Sequence, residues 1–137
     1  MPRKNVKNIP LRKSKGTRER LLEVAIQEFS EHGYHGVAVD DIVRRAGCNK
    51  RMVYHYFGSK KALYRAALLD VYARGDEFDL AALRGRTPEE KLRKVLKASF
   101  KFHTENPEFV KLLLWENLSQ GKAIKGEERL LQKNPFL

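Results

Sequence analysis

The chain has 137 residues, of which 42% are hydrophobic, and it carries a formal net charge of +11. This length allows one domain, or one small domain and part of another, and the charge favours a polyanionic partner. The single cysteine excludes an intramolecular disulfide, and no Cys or His spacing predicts a metal site or a bound cofactor. The absence of a signal peptide or an apolar span predicts a soluble, cytoplasmic protein.

The basic excess lies in the first half of the chain, where residues 1–65 hold 15 Lys and Arg against 6 Asp and Glu. Residues 1–16 carry several of these cations and no acid, and Pro2, Pro10 and Gly16 interrupt any helical pattern. We predict a flexible basic arm in this segment. Two interpretations stay open: a solvated tail, or an arm that lies along DNA phosphates or in a minor groove.

Three short helices are predicted next. Thr17 is the candidate N-cap of a first helix that ends at Gly33, because glycine tolerates positive φ. A second helix covers residues 39–46 and Gly47 follows it as a tight turn, after which Asn49 is the candidate N-cap of the third helix. The predicted inward-facing residues recur at helical spacing: Leu21, Leu22, Ala25, Ile26, Phe29, Val39, Ile42, Val43, Ala46, Val53 and Phe57.

The second and third helices, joined at Gly47, have the pattern of a helix-turn-helix, which places its second helix in the DNA major groove. We predict base readout by Lys50, Arg51, Met52 and His55. A guanidinium can take a guanine edge in bidentate fashion. Met52 has two open interpretations, contact with a thymine methyl group or gap-filling in the helix packing.

A second set of residues is predicted to grip DNA phosphates through hydroxyl, amide or cationic groups. These residues are Thr17, Arg18, Asn49, Tyr54, Tyr56 and Lys60. Capping alone would also explain Thr17 and is the first role expected of Asn49, while the Tyr54 ring could partly brace the helix. Lys60 begins the fourth helix, where free backbone N–H groups favour an anion.

The rest of the chain also predicts helices, with no strand, so the fold class is all-α. Ser59 is the predicted cap of a fourth helix that runs to roughly Arg74. Residues 87–90 form a capping-box start signal, that helix ends before residues 106–107, and a last helix ends near Gly121. Aromatic side chains on these two helices could line a ligand pocket, although such stripes are more often core: Phe100, Phe109 and Trp115.

Residues 17–65 resemble the signature of the tetracycline-repressor (TetR) family. The resemblance is carried by spaced aromatics and glycines: Phe29, Gly33, Tyr34, Ile42, Ala46, Gly47, Val53, Tyr54, His55, Tyr56, Phe57, Ser59, Lys60, Lys61, Ala62 and Leu63. Residues 88–121 are similar, more weakly, to the early helices of a TetR-type regulatory domain. Two departures are visible: Val37-Ala38 replaces a common Thr pair, and the chain stops at Leu137, before the long helices that normally pair two subunits.

The resemblance implies a homodimer that binds a palindromic operator, usually represses transcription and responds to a small ligand. We therefore expect a flexible arm (1–16), a helix-turn-helix DNA-binding domain (17–65) and a partial, truncated ligand-binding and dimerisation domain (66–137). The alternative is a helical interaction protein of the same fold that no longer binds DNA productively. No nucleophile-base pattern, paired-carboxylate motif or phosphate loop indicates an enzyme.

Overall fold

A computed structural model describes residues 16–75, 87–123 and 125. These ranges contain helices and no strand, in agreement with the all-α prediction. None of their helices combines the length and apolar character needed to cross a membrane. The six helices are α1 (Thr17–His32), α2 (Val39–Ala46), α3 (Lys50–Tyr56), α4 (Lys60–Gly75), α5 (Pro88–Glu105) and α6 (Pro107–Leu118). Residues 1–15 of the predicted basic arm (1–16) lie outside the described residues, as do residues 76–86 between α4 and α5.

The central helix of the fold is α1, which packs against α2, α3, α4 and α6. Its apolar stripe is buried because it meets the stripes of all four neighbours. The predicted inward-facing residues are confirmed, although Leu22, Val39 and Phe57 are only half-buried at the edge of the core. Tyr64 and Leu68 of α4 are buried as well.

Local signals at the helix ends are confirmed at several positions. Gly47 has φ 66 and ψ 40, the left-handed conformation that closes α2 and turns the chain into α3. Ser59 Oγ accepts a 3.0 Å hydrogen bond from the backbone N–H of Ala62. Thr87 and Glu90 form both hydrogen bonds of a capping box at the start of α5.

One predicted cap is wrong, and a second is confirmed in position but lacks the capping hydrogen bond. Gly16, and not Thr17, is the N-cap of α1, and the Thr17 hydroxyl instead accepts a 3.3 Å hydrogen bond from Arg20 Nη2. Asn49 does occupy the N-cap position of α3, but its side chain makes no capping hydrogen bond. Both side chains therefore keep acceptor capacity that capping would have used.

The last two helices, α5 and α6, differ in how far their apolar side chains are buried. Phe109 and Leu112 of α6 are fully buried in the core formed with α1 and α4. Helix α5 packs against α6 but has no buried residue, and its apolar stripe is exposed: Leu92 60%, Leu96 60% and Phe100 77%. The core thus extends from α1 to α6 and leaves one face of α5 uncovered by the described part of the chain.

Candidate nucleic-acid interface

Helix α3 is held against the core along one side and projects polar side chains from the other. Val53 is fully buried, and Met52 and Phe57 are half-buried against the same core. The side chains of Tyr54 and Tyr56 are 52% and 39% exposed. A short helix fixed in this way offers a rigid, solvated face of the kind that fits a major groove.

The two cations that begin α3 have different surroundings. Lys50 Nζ lies 3.3 Å from Asp40 Oδ1 at the start of α2, so its charge is already partly neutralised within the protein. Arg51 is exposed, and its guanidinium forms no ion pair within the described ranges. Of the two, Arg51 has the group that is ready for a guanine edge.

The other predicted base-reading residues are also divided. Met52 packs against the core, which favours the gap-filling interpretation over contact with a thymine methyl group. His55 is exposed, and its ring meets the Tyr56 ring edge-on at a centroid distance of 4.9 Å. His55 and Tyr56 therefore form one aromatic edge on the exposed side of α3, and Arg51 lies one helical turn before His55.

The predicted phosphate contacts extend this face onto α1 and α4. Arg18 at the start of α1 lies over the Phe57 ring, with its guanidinium carbon 5.1 Å from the ring centroid, so it sits beside the end of α3. Lys60 Nζ lies 4.4 Å from the centroid of the Tyr34 ring, and burial lowers the pKa of Lys60. The cation–π attraction between the ammonium group and the ring favours this position of Lys60.

Two further arginines on α2 are engaged within the protein. Arg44 pairs with Asp41 on its own helix, and Arg45 pairs with Glu28 of α1 and donates to Gln27 Oε1 at 3.0 Å. Arg45 thereby links α2 to α1, whereas the Arg44 pair stays within α2. In the described ranges no group of three or more His, Cys, Asp or Glu side chains could hold a metal ion.

The three aromatics predicted for a ligand pocket do not come together. Phe109 is fully buried in the core, Phe100 is 77% exposed on α5, and Trp115 packs against Gly33 and donates from Nε1 to the Ser30 carbonyl at 3.1 Å. The helical stripe that suggested a common pocket instead divides between the core and solvent. Within the described ranges these three side chains lie in different surroundings, and the ligand pocket stays a prediction.

A cavity of about 340 Å³ lies elsewhere, where the turn after α1, the start of α4 and the end of α6 meet. We call it the junction cavity. Glu116 lines it, is only 3% exposed, and accepts a 2.7 Å hydrogen bond from Tyr64 Oη. Sequence reasoning missed Glu116, although one signal was present: this carboxylate shares the buried face of α6 with Phe109 and Leu112.

The described helices, with α3 presented on a glycine turn, define a helix-turn-helix protein of the nucleic-acid-binding class. Residues 21–67 match the model of the family described as bacterial regulatory proteins, tetR family, and residues 88–137 match a tetracyclin repressor-like C-terminal domain. The chain belongs to the TetR family. Proteins of this family are transcriptional regulators and not enzymes.

Individual relatives agree with this assignment. The chain is 35% identical over 118 residues to the HTH-type transcriptional repressor NicS of Pseudomonas putida, covering 83% of this chain and 54% of that protein. It is 30% identical over 112 residues to an HTH-type transcriptional repressor of Streptomyces coelicolor, covering 82% and 55%. The chain thus spans about half the length of these curated relatives.

Solved structures show the same fold. The TetR-family regulator PfmR of Thermus thermophilus superposes with a TM-score of 0.59 at 29% identity, covering 87% of this chain and 67% of that one. A TetR-family regulator of Shewanella gives a TM-score of 0.63 at 21% identity, with 86% and 65% covered. The second similarity concerns the fold alone.

Proposed function

We propose that this protein is a sequence-specific DNA-binding repressor that inserts α3 into the major groove of its operator. The observation that carries the proposal is the exposed side of α3, where Arg51 has no ion pair within the described ranges while Val53 anchors the opposite side in the core. A rigid helix with a free guanidinium at its first turn is suited to reading a guanine edge.

The proposal assigns base readout to Arg51 and His55, with Lys50 able to contribute once it leaves Asp40. For Met52 the proposed role is packing of α3 at the edge of the core, ahead of contact with a thymine methyl group. Phosphate contacts are assigned to the residues that surround α3: Thr17, Arg18, Asn49, Tyr54, Tyr56 and Lys60. Such contacts set the position of the protein on the duplex, whereas base contacts select the sequence.

The finer features of the function are proposed from the family. We propose that two copies bind a palindromic operator, because one helix-turn-helix covers only half a site and paired half-sites match a two-fold protein. We also propose that a small molecule modulates this binding and that the protein works in the cytoplasm. The two relatives named above are repressors, which supports repression rather than activation.

Selection from a random duplex library tests the proposal. The 137-residue chain should enrich a palindromic motif, and fluorescence anisotropy on that motif should show affinity that falls steeply with added salt. Arg51→Ala should weaken and broaden the motif. Arg93→Ala removes an exposed arginine from α5 and is the matched control, which should leave the motif unchanged.

Failure to enrich any motif would refute the proposal and favour the helical interaction protein. Binding to all sequences alike, with the salt dependence of a simple polycation, would also count against it, because a regulator needs base discrimination.

A further inference from the structure

The junction cavity contains a buried carboxylate whose hydrogen-bonding capacity is only partly used. Glu116 Oε1 accepts the 2.7 Å hydrogen bond from Tyr64. Glu116 Oε2 is buried as well and has no hydrogen-bond partner in the described ranges. A buried carboxylate oxygen without a donor is unfavourable, so a donor delivered by a ligand would be bound strongly there.

The outer part of the same cavity has the opposite charge. Lys61 at the start of α4 and Lys122 after α6 both line it and are both exposed, and among the described residues no acid other than Glu116 lines it. His35 is exposed at the same opening. A ligand with an anionic group would therefore place that group among these cations and away from Glu116.

The walls between these two charged regions are aromatic. The rings of Tyr34 and Tyr64 line the cavity with their centroids 5.2 Å apart. The volume of about 340 Å³ lies at the lower end of the range for small-molecule sites, which runs from roughly 300 to 1,000 Å³. The space therefore suits a small organic molecule with a flat ring.

We propose that the junction cavity binds a small aromatic carboxylic acid that also carries a hydroxyl or amino donor. The donor group meets Glu116 Oε2, the ring lies beside Tyr34 and Tyr64, and the carboxylate lies between Lys61 and Lys122. The proposal names a site and a ligand class for the small molecule proposed above, and binding of the ligand does not itself require DNA.

A regulatory consequence follows, and this step rests on the proposed function. Lys61 belongs to the first turn of α4. The Tyr34 ring lines the cavity and also contacts Lys60, a proposed phosphate contact, through a cation–π interaction. A ligand seated against Tyr34 and Lys61 changes the surroundings of Lys60. Occupancy of the cavity should therefore alter DNA affinity.

Calorimetric titration of the 137-residue chain tests the site, with 4-hydroxybenzoate and 4-aminobenzoate as probes. Benzoate, which lacks the donor, and phenol, which lacks the carboxylate, should each bind about tenfold more weakly or worse. Benzoate binding as tightly as 4-hydroxybenzoate would overturn the role of Glu116. No saturable binding of either probe would overturn the site itself.

Two variants test the contributions of the two ends of the cavity to ligand binding separately. E116Q keeps an acceptor for Tyr64 but replaces the free oxygen by a donor, and K122E reverses an exposed charge, so each should weaken 4-hydroxybenzoate binding about tenfold or more. K97E makes the same charge change on exposed α5, away from the cavity, and should bind normally. Should E116Q fail to fold, equal affinity of K122E and K97E would still refute the proposal.

The two proposals fail in distinguishable ways. Probe binding without any effect on operator affinity would leave the site intact and remove the regulatory step. Operator binding without probe binding would leave the DNA function intact and remove the site.

Discussion

Trp115 lies directly over Gly33, with its nearest ring carbons 3.0 Å from the position that a Cβ atom would occupy at Gly33. The same indole donates from Nε1 to the carbonyl oxygen of Ser30 at 3.1 Å. The end of α1 is thereby bound to α6, 82 to 85 positions further along the chain. A glycine at this position both ends the helix and allows the ring to approach.

Gly33→Ala should destabilise the fold by about 2–5 kcal/mol, because a Cβ atom collides with Trp115 and φ 69 with ψ 175 is a glycine conformation. Urea denaturation followed by circular dichroism measures this. Gly121→Ala is the comparison: Gly121 also has positive φ, at 65, but a Cβ there meets nothing within 4 Å, so its cost should be only about 1 kcal/mol. Equal costs would show that the Trp115 contact adds nothing.

Phe109→Ala should lower the free energy of unfolding by about 3–5 kcal/mol, because this ring is fully buried against Tyr72 and Phe102. Phe100→Ala makes the same chemical change on exposed α5 and should shift that free energy by no more than about 0.5 kcal/mol. Chemical denaturation of both variants provides the measurement. A large loss with Phe100→Ala would mean that its face of α5 is covered in solution.

Asp40→Asn should strengthen DNA binding and increase the salt slope by about one, since it releases Lys50 from its ion pair and lets it meet a phosphate or a base. Asp41→Asn changes the net charge equally but frees Arg44 instead, so it is the matched control. Anisotropy titrations over a range of salt concentrations measure both slopes. Identical slopes for the two variants would assign the gain to net charge alone.

Tyr56→Phe and Lys60→Ala should weaken binding to every sequence alike, each by about 1 kcal/mol or somewhat more, because phosphate contacts carry no sequence information. Arg51→Ala should instead relax preference at particular base pairs. Library selection with each variant distinguishes the two effects. A change of motif with Tyr56→Phe would move that residue into the base-reading set.

The stability of the fold should fall as the pH rises above about 10, the ordinary pKa of tyrosine. Burial, followed by the charge of Glu116, raises the pKa of Tyr72. Above that pH the folded state therefore keeps a proton that the unfolded state has lost. The free energy of unfolding falls by about 1.4 kcal/mol per pH unit for each tyrosine whose pKa is raised in the folded state. Tyr72→Phe should remove one such contribution from the slope measured in urea at high pH.

Tyr54→Phe provides the control for that slope, because Tyr54 is 52% exposed on α3. It should leave the pH dependence of unfolding as in the original chain. An unchanged slope in Tyr72→Phe would indicate that its hydroxyl reaches water before unfolding.

The boundaries of α1 to α3 could be predicted because they depend on local signals. Gly33 and Gly47 end helices through their own backbone freedom, and the stripes that include Phe29 and Val53 have a clear helical period. The wrong cap at Thr17 has an equally local cause. The helix begins after Gly16, and Arg20 occupies the hydroxyl.

The surroundings of the site residues could not be predicted in the same way. The pair of Lys50 with Asp40 joins two helices across a turn, and the junction cavity joins Tyr34 to Glu116 through the packing of α6 on α1. Sequence periodicity predicts on which face of its own helix a residue lies, but it does not predict which other helix packs against that face. Base and phosphate roles at α3 stay predictions for the same reason, since DNA supplies the second surface.

The packing of α6 onto α1 also bears on hybrid regulators assembled from related sequences. A cut after α4 would part Phe109 and Trp115 from the helices that surround them, and a donor chain would bring its own side chains to meet Gly33. In such a chimaera the side chains at the interface between α1 and α6 would not match. The transplantable unit of this chain is therefore the whole block from α1 through α6, and sensor engineering would place its crossover beyond Leu118.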